Sequence, residues 1–129
     1  MSYSFSSLDE LGEGPGFRKV RKEMGIEAFG VNGIVYPPGQ DGFLHFHETQ
    51  DELYFVHAGH ARFRVDGHDV DAPAGTFVSA LDVKTIRSAV ALSDDTVVFV
   101  IGAEPGAPFE VTAAERAELA EAGVPANPA

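Results

Sequence analysis

The sequence predicts one all-β domain, a sandwich or closed barrel of short, mostly antiparallel strands. Three observations carry that prediction. Short apolar runs recur along the chain, separated by glycine, proline and aspartate turns. Several of the runs alternate apolar and polar residues, the period of a strand with one buried face. The dipeptide Asp66-Gly67 stands between two such runs and favours a type I′ hairpin turn. At 129 residues the chain has the length of one domain with a real core.

Taken in order, residues 1–16 are polar and glycine-rich, with Leu8 and Leu11 as apolar anchors, and read as an N-terminal arm with at most one helical turn. Residues 17–104 form the barrel domain. Its strand candidates are 28–36, closed by Pro37, Pro38 and Gly39, then 43–47 and 52–58. In 61–65, Ala61, Phe63 and Val65 share one face and Arg62 and Arg64 the other. Residues 68–72 return after the hairpin turn, 76–80 follow the turn at 73–75, and 84–90 and 96–102 complete the series. Residues 105–129 form a tail with a short helix over 113–122. Thr112 and Glu115 make a capping box there, and Gly123 and Pro125 stop the helix. Its thin apolar face suits a place on the barrel surface or against a second subunit.

Composition narrows the function. A formal net charge of -11 argues against nucleic acid and anionic membrane as partners, because both demand a basic face. The chain has no cysteine, so disulfides, thiolate metal sites and a cysteine nucleophile are excluded. No signal peptide and no apolar run of membrane-spanning length is visible, which makes the cytoplasm the expected location. No glycine-rich phosphate loop or serine nucleophile elbow is present.

The chemistry concentrates in HFHETQDELYFVHAG, residues 45–59. On a strand, His45 and His47 point to the same side, and Phe43 joins them. Residues 48–51 are long enough to turn the chain. The next strand would then place Glu52, Tyr54 and Val56 on the face shared with the histidines. Glu48, Asp51 and Glu52 compete for the carboxylate role. Strand parity favours Glu52, with Asp51 as the fallback and Glu48 facing water. Two imidazoles and a carboxylate converging in a barrel suit a divalent metal. His57 has the opposite parity and should face away, and His60 and His68 flank hairpin ends. Phe43, Tyr54, Phe63, Phe77 and Ile86 read as core or pocket wall, with the Tyr54 hydroxyl available to a ligand.

Gly39, His45, His47, Glu52 and Gly59 follow the spacing G-x5-H-x-H-x4-E-x6-G. This resembles the first sequence motif of the cupin superfamily at every defining position, and the resemblance covers roughly residues 30–101. It implies a jelly-roll barrel, or double-stranded β-helix, with His45, His47 and Glu52 as ligands of one divalent ion such as Zn, Ni, Fe or Mn. The family's second motif is G-x5-P-x-G-x2-H-x3-N. Its register from Gly75 puts Leu81, Val83, Ile86 and Val90 at the proline, glycine, histidine and asparagine positions. The fourth ligand is therefore absent at Ile86, whose side chain that register points into the barrel.

The resulting expectation is a small-molecule-binding cupin with a degenerate metal site. A non-haem-iron dioxygenase or cupin isomerase is the first alternative, and a metal-free sensor or carrier is the second. Whether the protein is an enzyme stays open at this level. The outward Leu53 and Phe55 predict a second cover for the sheet, from a homodimer partner or the N-terminal arm.

Overall fold

Strand parity organises the computed structural model, which describes residues 3–37, 51–81, 87–104, 106 and 112–124. Eight strands and two helices occur among these residues. They are β1 (Gly16–Arg18), α1 (Val20–Met24), β2 (Gly30–Val35), β3 (Asp51–Ala58) and β4 (His60–Val65). There follow β5 (His68–Pro73), β6 (Phe77–Ala80), β7 (Arg87–Ala91), β8 (Val97–Ala103) and α2 (Ala113–Glu121). The strands form a five-stranded sheet in the order β1-β2-β8-β3-β6 and a three-stranded sheet in the order β5-β4-β7. Every strand pairing is antiparallel. This is the all-β architecture that the strand ladder predicts, in the jelly-roll form that the motif resemblance implies.

The core lies between the sheets, where their inward positions meet. Tyr54 and Val56 come from β3, Ala61 and Phe63 from β4, Val78 and Ala80 from β6, Ala89 from β7 and Val98 from β8. Each set repeats every second residue, as a half-buried strand requires. Five alanines sit among the buried residues beside bulky Phe63 and Tyr54, so large and small side chains interlock. The Tyr54 and Phe63 rings meet at 5.3 Å in a tilted arrangement.

The β4–β5 hairpin pairs Val65 with His68 around Asp66 and Gly67, whose φ values of 51° and 80° are both positive, as a type I′ turn demands. Thr112 caps α2 through the reciprocal box with Glu115, and all residues of that helix are exposed. The structure departs from the sequence reading at the start of the barrel. The short β1 and the single-turn α1 occur where no separate elements were expected, and β1 is held by pairing with β2. A three-residue strand carries too little periodicity to be read from sequence.

The N-terminal arm covers part of the outer face of the large sheet. Arg18 is only 5% exposed, and its guanidinium donates to the carbonyls of Leu8 (3.1 Å) and Gly14 (2.7 Å). Leu8 and Phe99 lie over Gly33, each 3.3 Å from where a Cβ would stand, so a side chain there would press on both. Farther across the sheet, Phe55 and Phe77 stack at 4.6 Å on the same outer face. No helix among the described residues is long and apolar enough to cross a membrane.

Candidate functional site in the barrel

The residues expected at the site fall into three groups. His45, His47, Phe43 and Ile86 lie outside the described residues. Glu52, Tyr54 and Phe63 are brought together in the interior, at 4%, 4% and 1% exposure. Phe77 is a correction, being 64% exposed and no part of the pocket wall. On β6 the inward positions belong to Val78 and Ala80, so Phe77 points outward to Phe55. The neighbouring apolar residues Phe77 and Val78 conceal that parity in the sequence. His57 is exposed and packs its ring 5.4 Å from Phe99, as an outward position predicts. His60 is 2.6 Å from Asp71 at the surface, and His68 is exposed.

The residue that sequence reasoning missed is Arg87. On β7 the inward positions are Arg87, Ala89 and Ala91, and Arg87 is 1% exposed. Its guanidinium donates to Glu52 Oε1 twice, from Nη2 at 2.5 Å and from Nε at 3.1 Å. The Tyr54 hydroxyl donates to the same oxygen at 2.5 Å and lies 3.2 Å from Arg87 Nε. Glu52 and Tyr54 face each other because they are two residues apart on β3. Pairing of β3 with the rest of the large sheet, and of β7 with β4, brings Arg87 over both. Arg87 shares the inward face of the small residues Ala89 and Ala91, a hint too weak to mark it from the sequence as the partner of Glu52.

Electrostatics follow from burial and these contacts. Burial works to lower the Arg87 pKa, but hydrogen bonds with Glu52 and Tyr54 reverse the balance and raise it. Arg87 therefore stays charged. Burial above all, and then the hydrogen bond to Glu52, hold the Tyr54 phenol above its ordinary 10.0. Burial likewise raises Tyr36. Below the ordinary value these phenols are neutral in both folded and unfolded chains. Above it the unfolded chain ionises while the buried phenols resist, so stability present below about pH 10 is lost as pH rises. Urea midpoints should fall between about pH 9 and 11, and Tyr54→Phe should flatten that fall. An unchanged slope in Tyr54→Phe would remove Tyr54 from this account.

Two hollows adjoin the cluster. A cavity of about 20 Å³ touches Tyr36, Tyr54, Phe63 and Arg87, room for about one water. A cleft of about 500 Å³ at the end of β3, β6 and β8 includes Glu52, Leu53, Leu81, Ile101 and Glu104 in its walls. That volume suits a small organic ligand.

A metal can be tested against these contacts. Among the described residues no group of three or more His, Cys, Asp or Glu is placed to hold one. Glu52 has the inward position that the metal set requires, but its carboxylate already faces a guanidinium. Two unit charges about 4 Å apart repel by about 4 kcal/mol at an effective dielectric near 20, and a divalent ion doubles this. With Arg87 in place, Glu52 Oε1 is committed to a guanidinium and a phenol, which disfavours Glu52 as a metal ligand.

The antiparallel barrel with its polar interior defines a class, and comparison with known proteins agrees with it. The cupin domain family matches this chain, and the match places a cupin domain over residues 34–81, a little over a third of its length. Among solved structures, a cupin protein from Bacteroides fragilis superposes with a TM-score of 0.68 at 20% identity, covering 87% of this chain and 92% of that one. A sugar phosphate isomerase of the cupin superfamily from Silicibacter pomeroyi gives 0.62 at 23% identity, covering 69% and 59%. KdgF from Halomonas sp. gives 0.56 at 23% identity, covering 61% and 71%. At these identities the likeness establishes the fold. No curated protein sequence matches the chain.

Proposed function

We propose that this protein binds a small hydroxylated, sugar-like molecule in the cleft at the end of β3, β6 and β8. The observation that carries the reading is a ligand-sized cleft with Glu52 in its wall, where Glu52 belongs to the buried cluster with Arg87 and Tyr54. Glu104 offers acceptors to hydroxyl groups, and Leu53, Leu81 and Ile101 offer an apolar wall for a sugar ring. The structural likeness to a sugar phosphate isomerase supports the same ligand class. His45 and His47 are proposed as polar groups of this site, available to hold a ligand or to exchange a proton with it.

The test is thermal unfolding with a panel of neutral sugars, sugar phosphates and sugar acids. A ligand at about a hundredfold excess over its Kd adds about 2.7 kcal/mol, or roughly 5–10 °C in Tm. Leu81→Trp, at an exposed position in the cleft, should fill the site and erase the shift. A panel that shifts nothing, or equal shifts in the parent and Leu81→Trp, would remove the reading. The outward Phe55 and Phe77 also support the expected homodimer. Light scattering that gives a strictly monomeric mass at high concentration would rule it out.

A further inference from the structure

We infer that the Arg87 guanidinium is the resident cation of this barrel, holding against Glu52 the place of the metal ion that the first motif implies. The inference rests on the charge balance of the buried Glu52–Arg87–Tyr54 cluster beside the proposed cleft, and not on the ligand of that cleft.

Four observations converge. Arg87 occupies an inward position on β7 and is almost fully buried, so its charge is an interior charge. Both of its donated bonds to Glu52 end on Oε1, and the Tyr54 hydroxyl adds a third, so that oxygen is saturated with donors. In the register from Gly75 the second motif's imidazole position falls on Ile86, which cannot ligate, and the next residue, the inward Arg87, supplies a fixed positive charge. Finally, a guanidinium does not deprotonate in a protein, so no accessible pH switches this cation off. A lysine there could lose its proton and yield to an ion. Arginine makes the replacement permanent.

The consequence concerns Glu52. Its negative charge is compensated from within the chain, so in the parent protein it is not a metal ligand. Removing the guanidinium releases the carboxylate to join the ligand set that the first motif implies.

Calorimetric titration with zinc chloride tests this on the full chain, using the parent, Glu52→Gln, Arg87→Met and Arg87→Lys. The parent and Glu52→Gln should bind zinc alike, within about threefold, or both not at all, because Glu52 makes no bond to the ion. Arg87→Met should bind at least about tenfold tighter than the parent, and adding Glu52→Gln to it should cancel the gain. Arg87→Lys, which keeps the cation, should behave as the parent near neutral pH. Zinc should also raise the Tm of Arg87→Met, because the ion takes over the role of the missing guanidinium. Weakening of the parent by about tenfold or more in Glu52→Gln would overturn the inference, since Glu52 would then ligate with Arg87 in place. So would an Arg87→Met protein that folds but binds zinc no more tightly than the parent. If Arg87→Met fails to fold, the comparison of parent with Glu52→Gln still decides. Ligand-induced Tm shifts that survive while Glu52→Gln weakens zinc binding, or while Arg87→Met fails to tighten it, would overturn the resident cation alone. Loss of the sugar reading would leave the zinc comparison untouched.

Discussion

Glu52→Leu is expected to destabilise the protein by roughly 3–5 kcal/mol, the effect of leaving one member of a buried ion pair without its partner. Arg87 is 1% exposed, so bulk water does not replace the lost carboxylate, and the Tyr54 hydroxyl loses this acceptor as well. At roughly 4 °C per kcal/mol for a domain of this size, Tm should fall by roughly 10–20 °C. The double variant Glu52→Leu/Arg87→Met removes both charges and should recover most of the loss, because apolar replacements of buried pairs are often neutral. Urea unfolding of the two variants and the parent gives the comparison. A double variant as unstable as Glu52→Leu would mean that the destabilisation comes from packing, with the unpaired charge playing no part.

Gly59→Ala should be comparably severe for a different reason. Gly59 has φ of 75° at the corner between β3 and β4, and an added Cβ would lie 2.6 Å from the Thr96 Cα. The same Cβ would press on the Ser93 and Thr96 hydroxyls, both at 2.7 Å. Those hydroxyls accept from the backbone N–H of His60 at 3.0 and 3.3 Å, and Thr96 is fully buried. Left-handed strain of about 1–2 kcal/mol adds to about 1–3 kcal/mol of overpacking, so the expected loss is roughly 2–5 kcal/mol. Gly67→Ala isolates the first contribution. Its φ is 80°, but nothing lies within 4 Å of the added atom. Chemical denaturation should show Gly59→Ala clearly less stable than Gly67→Ala. Equal losses would leave backbone strain as the whole explanation.

Two positions of the five-position spacing, Glu52 and Gly59, answer to local demands that the structure shows. Gly59 must take a left-handed turn against a neighbouring strand, and Glu52 must start an inward-facing series on β3. Ala61 and Phe63 were legible for the same reason, since strict alternation marks a face. The Asp66-Gly67 turn and the Thr112 capping box depend on residues at most three apart, and both form. Phe77 was misplaced because adjacent apolar residues on β6 give parity no foothold. The metal expectation rested on His45, His47 and Glu52 alone, with nothing in the local pattern to introduce a competing cation.

By itself, then, the sequence determined what short-range stereochemistry governs. It set the strand ladder, the turns, the helix cap and the inward direction of Glu52 and Tyr54. Only the tertiary structure decided what Glu52 meets inside the barrel. Its partner Arg87 is 35 residues away and on a strand of the other sheet. No periodicity spans that separation, and arginine on a strand ordinarily points to water. The contact exists because closing the two sheets brings β3 and β7 face to face, and because a buried carboxylate and a buried guanidinium are each tolerable only in the presence of the other.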